Sequence, residues 1–167
     1  YSLSRKDDRS WTLGHPTPGD RNRSVPLGDS GSLRINELLA NPRSDGVDWV
    51  ELVNTDSLQP VPTGDLLVQQ GFRSEPLVPN GYLGPGSHGV FEAIGWDETL
   101  RLNLRFSGEG GVVSLHRRNG EVLDEVNYSA QPEGASSGRL PDASGRFQLF
   151  ERNPSPGVAN VKLPPST

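Results

Sequence analysis

Two short apolar runs joined by a turn, between positions 33 and 54, constrain the fold more than any other stretch of this chain. The runs are Leu33–Ala40 and Val47–Asn54, and the loop between them contains Asn, Pro, Asp and Gly. Runs of this length with turn-forming residues at their ends are typical of β-strands. We interpret them as the first two strands of a β-sandwich.

Glycine and proline punctuate the rest of the chain, with 20 Gly and 15 Pro among 167 residues. No segment longer than about ten residues keeps a helical period without one of them, so the pattern favours strands over helices. Seven further strand-like runs follow: Asp65–Gln70, Ser87–Ala93, Glu98–Phe106, Gly110–Arg117, Glu121–Tyr128, Ser136–Leu140 and Arg146–Phe150. About nine short strands at regular spacing predict an all-β sandwich.

Two of these runs carry specific local signals. Leucines alternate with polar residues in Glu98–Phe106, which is typical of a half-buried strand. The dipeptide Asn119-Gly120 lies between two other runs and predicts a hairpin with a type I′ turn, which needs positive φ at both central residues.

The composition excludes several classes of protein. The chain has no Cys, so it has neither disulfides nor thiolate metal sites. Its net charge of −5 counts against binding to a nucleic-acid phosphate backbone. No apolar run approaches the roughly 20 residues that span a bilayer. Because Met is absent even at position 1, we expect a piece or a processed form of a longer protein.

A short motif occurs near both ends of the chain. Pro16–Asn22 and Pro154–Asn160 both read Pro-Ser/Thr-Pro-Gly-x-x-Asn, and each follows a segment that contains an aromatic residue. We interpret the pair as an internal repeat whose N-terminal copy is the last piece of a preceding unit. The alternative is that Pro-Gly turns recur by chance in a chain rich in both residues.

Several segments, in order, resemble the lamin tail domain in its bacterial form. They are Ile35–Pro42, Asp48–Asn54, Leu102–Gly110, Val112–Leu115 with Asn119-Gly120 and Val122–Tyr128, Ser137–Asp142, and Pro154–Asn160. The chain departs from the family between 58 and 85, where it lacks a Trp-containing strand. The resemblance implies an immunoglobulin-like β-sandwich at residues 32–161. It also implies that the extended residues 1–31 end an upstream lamin-tail unit, with 162–167 a tail or linker.

Two acidic residues lie within the opening strands. Because side chains alternate along a strand, those of Glu37 and Glu51 are expected on the same face as apolar neighbours two residues away. At least one carboxylate is therefore expected to be partly buried and to need a partner. We expect a structural ion pair with Arg139 as the donor, because its planar fork can bond a carboxylate twice. The functional alternative is a carboxylate pair for acid–base chemistry or metal binding.

Loop residues supply the remaining candidate sites. Asp45 and Asp48 could hold calcium, although solvated turn carboxylates are the simpler interpretation. Arg117 and Arg118 could form a basic patch or a partner contact, with a solvated arginine face as the alternative. Trp96 could anchor a partner or cap the core.

We find no sequence signature of an enzyme. The three histidines have no motif partners, and no Gly-x-Ser-x-Gly elbow is present. We therefore expect a non-catalytic binding or spacer module of a larger exported bacterial protein, extracellular or in the cell envelope, without a cofactor. Its partner would be a protein or the neighbouring domains of its own polypeptide. The alternatives are a calcium-stabilised adhesion module and a DNA-associated accessory domain.

Overall fold

A computed structural model describes residues 1–77, 81–93, 102–151 and 153–161. The strands are β1 (Ser2–Arg5), β2 (Trp11–His15), β3 (Arg23–Ser24), β4 (Leu33–Leu39), β5 (Asp48–Asn54), β6 (Val61–Pro62), β7 (Leu66–Gln70), β8 (Arg73–Pro76), β9 (Tyr82–Leu83), β10 (His88–Ala93), β11 (Gly110–Arg117), β12 (Val122–Ser129), β13 (Ser136–Leu140) and β14 (Arg146–Phe150). One 3₁₀ turn, Ser30–Ser32, precedes β4. Across these ranges, no α-helix is long and apolar enough to cross a membrane.

Two antiparallel sheets form the body of the molecule. A five-stranded sheet has the order β10-β5-β4-β13-β14, and a four-stranded sheet has the order β12-β11-β7-β8. A two-stranded sheet joins β6 to β9. The predicted all-β sandwich of about nine strands is confirmed.

The main core consists of side chains contributed by both sheets. Its members include Leu33, Ile35, Leu38, Val50 and Leu52 from the five-stranded sheet, and Leu66, Val68, Val113, Leu115, Val126 and Tyr128 from the four-stranded sheet. Each fully buried aliphatic side chain contributes about 1.5–3 kcal/mol through the hydrophobic effect. Packing between the two sheets therefore holds the sandwich together.

The predicted strand Glu98–Phe106 is not a strand in its described part. Residues 98–101 lie outside the described residues, and 102–106 form one isolated bridge followed by irregular chain. Leu102, Leu104 and Phe106 are nevertheless buried while the residues between them are exposed. The alternation therefore predicted burial correctly but not strand pairing. The ninth strand of the two sheets is instead β8, which is not among the predicted runs.

The Asn119-Gly120 hairpin forms, but with a different turn. The amide of Gly120 donates to the carbonyl of Arg117 at 2.9 Å, so Arg118 and Asn119 are the central residues. Only Gly120 has a positive φ, at +89°. A type I turn followed by a left-handed glycine is the geometry of a three-residue hairpin loop, so the type I′ prediction was wrong.

Residues 1–24 are extended, as expected, but they fold back twice into a sheet of their own. The order of that sheet is β1-β2-β3. Leu13 and Val25 are buried there, yet neither belongs to the main core cluster. The predicted division at residue 31 falls within the 3₁₀ turn before β4, and it stays a prediction.

Candidate functional site

A β-bulge in strand β4 sets the geometry of the two glutamates. The register between β4 and β5 shifts between Ile35 and Glu37, which leaves Asn36 as the extra residue and places Glu37 directly opposite Glu51. The flanking Leu38, Val50 and Leu52 belong to the core cluster. Because side chains alternate along a strand, both carboxylates lie on the opposite face of the sheet.

The C-terminal turn around Ser155 covers that face. Glu37 and Glu51 are both 0% exposed. Glu37 accepts hydrogen bonds from the amide and the hydroxyl of Ser155, the hydroxyl at 2.9 Å. Glu51 accepts from the amide of Gly157 at 2.6 Å. The two carboxylates therefore fasten the Pro-Ser-Pro-Gly turn to the outer face of the five-stranded sheet.

Polar side chains complete the network on both sides of the glutamates. Ser136 donates its hydroxyl to Glu37 at 2.5 Å, and Asn36 donates to Glu51 at 2.9 Å. Asn160 donates to the carbonyls of Asn36 and Arg139, at 3.3 and 2.9 Å. Within the described residues, no buried side-chain nitrogen or oxygen lacks a hydrogen-bond partner. Such full satisfaction makes a buried polar network compatible with stability.

The network reaches the surface through an aspartate and a histidine. Asp142 accepts from the amide of Asn160 at 2.9 Å and from the side chain of Asn36 at 3.3 Å. Its other oxygen lies 2.9 Å from Nε2 of His88, and both of these side chains are partly exposed. The His88–Asp142 pair therefore forms the rim of the buried cluster.

Burial raises the pKa of both glutamates above their ordinary value, although the hydrogen bonds that they accept oppose this shift. The negative charge of Glu37 also raises the pKa of Glu51. Both partners of Glu51 are N–H donors, which require acceptor oxygens, whereas Glu37 faces two hydroxyls that can reverse and accept. A proton bound by the pair is therefore accommodated best on Glu37.

Arg139 does not lie against the glutamates, in contrast to the predicted ion pair. Its guanidinium contacts both oxygens of Asp124, at 3.0 and 3.1 Å, and donates to the carbonyl of Ile35 at 2.9 Å. Asp124 in turn accepts from the amide of Ile35 at 2.7 Å. The ion pair therefore holds β4 beside its bulge. Glu37 lies opposite Glu51 only because of that bulge. Strict alternation of side chains along the strand, on which the prediction relied, could therefore not identify the partners of the two glutamates.

The candidate calcium ligands differ in their surroundings. Asp45 is exposed in its turn. Asp48 accepts a hydrogen bond from the amide of Phe106 at 2.8 Å, and burial raises its pKa. Within the described ranges, no group of three or more His, Asp or Glu is arranged to hold a metal ion. The structure thus gives Asp48 a structural contact to the segment after position 102.

The candidate partner arginines are engaged in local ion pairs. Arg117 bonds Asp29 at 2.8 Å and Glu121 at 2.8 Å, which ties the segment before β4 to the β11–β12 hairpin. Arg118 lies 3.7 Å from Asp65 and is more than half exposed. Trp96 lies outside the described residues.

The repeated sequence motif is matched by a repeated structure. We call residues 2–22 the first hairpin-turn unit and residues 136–160 the second. In the first, β1 pairs with β2 so that Arg5 faces Trp11; in the second, β13 pairs with β14 so that Arg139 faces Phe147. Each hairpin is followed by the Pro-x-Pro-Gly turn. The two units therefore share the order of their parts and the pairing of an arginine with an aromatic residue, while the second is two residues longer in its hairpin loop and again before its turn.

The two turns agree in detail. The Gly19 φ is +80° and the Gly157 φ is +84°, which are values for the third position of a type II turn. The turn hydrogen bond is 3.1 Å long in both units. The terminal asparagine of each motif reaches back to a matching carbonyl: Asn22 to Arg5 at 3.1 Å and Asn160 to Arg139 at 2.9 Å.

Sequence reasoning missed Asn36, Asp142 and Asn160 as members of the buried network, and Asp124 as the partner of Arg139. All four lie in segments that carry the resemblance, and Asn160 also closes the repeated motif, but neither pattern indicates their contacts. A scan against protein-family models finds no match, and no curated protein matches the chain.

Proposed function

We propose that this chain is a non-catalytic β-sandwich module of a larger exported bacterial protein. It binds a protein partner or holds neighbouring domains of its own polypeptide in place. A lamin-tail type of module is the family that the sequence motifs favour. The duplicated hairpin-turn unit is the observation that carries this proposal.

The duplication supports a modular role because one copy belongs to the five-stranded sheet of the sandwich and the other does not. The second unit joins the five-stranded sheet through β13 and β4. The first unit forms a separate sheet, and its buried Leu13 lies outside the core cluster. A structural element repeated beside the domain that uses it is typical of proteins built from successive similar units.

The buried carboxylates favour a structural role over catalysis. Glu37 and Glu51 have no exposed surface, and backbone and side-chain donors of the fold occupy their oxygens. General acid–base chemistry requires a group that a substrate can reach. The two glutamates instead fix the position of the C-terminal turn.

A serine–histidine contact on β11 does not favour a hydrolase. The Ser114 hydroxyl lies 2.7 Å from Nε2 of His116, but Ser114 is only 6% exposed. Among the described residues, no carboxylate hydrogen-bonds to this histidine, whereas a catalytic triad needs an orienting group there. No specific observation favours the calcium-stabilised or the DNA-associated alternative.

Deletion of residues 1–24 tests the modular proposal. The ion pair of Asp29 with Arg117 and the hydrogen bond from Gly28 to Pro60 lie outside the deleted segment. We expect the remaining sandwich to keep one cooperative transition with a nearly unchanged free energy of unfolding, because no member of the core cluster lies in residues 1–24. Thermal and urea unfolding of the two chains measure it. Loss of cooperative unfolding in the shortened chain would show that residues 1–24 belong to this sandwich and would contradict the proposal.

A further inference from the structure

We propose that the outer edge of β1, together with the turn at Thr17–Gly19, docks an acidic β-strand of another protein segment. The partner's chemistry is that of the second unit's surroundings: an antiparallel strand that carries a Glu like Glu37, a second carboxylate on its neighbouring strand like Glu51, and an acidic residue that reaches Arg5 as Asp124 reaches Arg139. This inference rests on the proposed function and names the kind of partner involved.

Strand pairing in the second unit defines the docking edge. The outer edge of β13 pairs with β4, with Ser137 opposite Leu38 and Gly138 opposite Glu37. By register, Leu3 and Ser4 of β1 correspond to Ser137 and Gly138. Strand β1 lies at the edge of its sheet, and no described strand pairs with this outer side. Such an edge presents free N–H and C=O groups and is a template for strand addition.

The arginine beside that edge, Arg5, has no acidic partner among the described residues. In the second unit Arg139 binds Asp124 and the carbonyl of Ile35. The corresponding Arg5 is exposed, and its guanidinium makes no hydrogen bond or ion pair with any described residue. A free guanidinium in a position where its equivalent holds a carboxylate indicates an acidic ligand.

The turn of the first unit shows the same difference. Glu37 accepts from the Ser155 amide and Glu51 accepts from the Gly157 amide. The equivalent amides of Thr17 and Gly19 donate to no acceptor in the described part of the chain, and the Thr17 hydroxyl has only a long contact of 3.5 Å to Asn22. Two unoccupied amide donors beside a free arginine match a pair of carboxylates.

An exposed aromatic side chain and the local charge agree with such a partner. Trp11 corresponds to Phe147, which packs against the core, but Trp11 is 63% exposed. Residues 1–24 contain five basic and three acidic residues, a net charge of +2 in a chain of net charge −5. A cleft of about 800 Å³ opens beside Arg5; its lining has three basic residues (Arg5, Lys6 and Arg21) and two acidic ones (Asp7 and Asp8), an excess of one positive charge. Positive charge at this place complements an acidic strand.

The chain's own β4–β5 sequence provides the probe. A synthetic peptide of residues 33–54, with a lysine tag for solubility, is titrated into the isotope-labelled full chain, and amide chemical shifts and exchange rates are followed by NMR. We expect changes at β1 and at the Thr17–Gly19 turn. Arg5→Ala should weaken the peptide's affinity about tenfold, because the equivalent Arg139 donates to the carbonyl of Ile35, which the peptide contains, and a hydrogen bond from a charged group is stronger than a neutral one. Arg73→Ala, at an exposed arginine on β8, is the matched control and should change nothing.

A peptide with Glu37→Lys and Glu51→Lys should not bind, because it presents cations to the cationic edge. Changes confined to residues 136–160, no changes at all, or binding that is insensitive to Arg5→Ala would overturn the inference. The deletion of residues 1–24 is independent of this result. If the shortened sandwich stays folded but the full chain binds no peptide, the modular role stands and only the partner's chemistry is refuted.

Discussion

At the scale of single residues, two carboxylates that lie side by side differ in what they require of their surroundings. Removing a charge from water costs several kcal/mol, and this cost is offset only where hydrogen-bond partners are complete. Glu51 meets two N–H donors, which cannot accept a hydrogen bond from a protonated carboxyl, whereas Glu37 meets, besides the Ser155 amide, two hydroxyls that can. The pair therefore contains one residue that must remain an acceptor and one that tolerates protonation.

Replacing each glutamate with glutamine should separate these roles. In Glu51→Gln, the new NH2 group must face another N–H donor, either the Asn36 side chain or the Gly157 amide. Asn36 cannot turn its amide over to accept instead, because its oxygen already accepts from the Ala143 amide at 2.9 Å. We expect a loss of about 1–3 kcal/mol in the free energy of unfolding. Glu37→Gln can donate to Ser136 and accept from Ser155, so we expect a change below about 1 kcal/mol. Urea unfolding at neutral pH measures both, and equal losses would contradict the assignment.

The same variants have a second readout in the pH dependence of stability. A carboxyl whose pKa is raised by folding stabilises the folded chain fully below its unfolded pKa and loses that contribution as the pH rises through the folded pKa. We therefore expect the free energy of unfolding to increase from neutral pH toward the ordinary glutamate value of 4.5. Glu37→Gln should flatten this increase, and Glu133→Gln, at an exposed carboxylate, should not.

At the scale of elements, the hairpin-turn unit occurs twice, in two different structural surroundings. The second unit is held by the glutamates, by Asp124 and by strand β4, whereas the first, among the described residues, pairs only with the adjoining strand β3. The same backbone geometry therefore persists with and without a docking surface. This indicates that the Pro-x-Pro-Gly-x-x-Asn motif encodes its own turn.

The asparagines that close the two motifs offer a matched comparison. Asn160 is 6% exposed and bonds two carbonyls and the Ser155 hydroxyl, so Asn160→Ala should cost about 1–3 kcal/mol by leaving buried groups unpaired. Asn22 is exposed and bonds mainly the Arg5 carbonyl, so Asn22→Ala should stay within about 0.5 kcal/mol. Chemical unfolding of both variants measures the difference, and a larger effect at Asn22 would show that the first unit is the docked one.

Sequence patterns predicted the elements of the sandwich better than their connections. Alternation and turn residues located β4, β5, β11 and β12 to within a residue or two, because local sterics and burial act along the chain. The bulge at Asn36 moved Ile35 to the other face from Glu37, and no period-two pattern contains that shift. The Arg139–Asp124 pair joins strands of different sheets, so it depends on how the two sheets pack, which local pattern does not specify.

At the scale of the whole molecule, the C-terminal segment helps to bury the central strands β4 and β5 of the five-stranded sheet on both faces. The core cluster covers one face of β4 and β5, and the Ser155–Gly157 turn covers the other. The strands consequently contain polar residues on a face that is nevertheless closed. The repeated motif was visible in the sequence, but the face that it covers follows only from the fold.

Native-state hydrogen exchange at Gly157 and Gly19 tests the central claim most directly, since these amides are equivalent in the two units. The claim is that buried carboxylates dock one unit while the other presents an open edge. We expect Gly157, whose amide donates to Glu51, to exchange only through large-scale opening, and Gly19 to exchange close to the rate of an unprotected amide. Equal exchange rates at the two glycines would contradict the account.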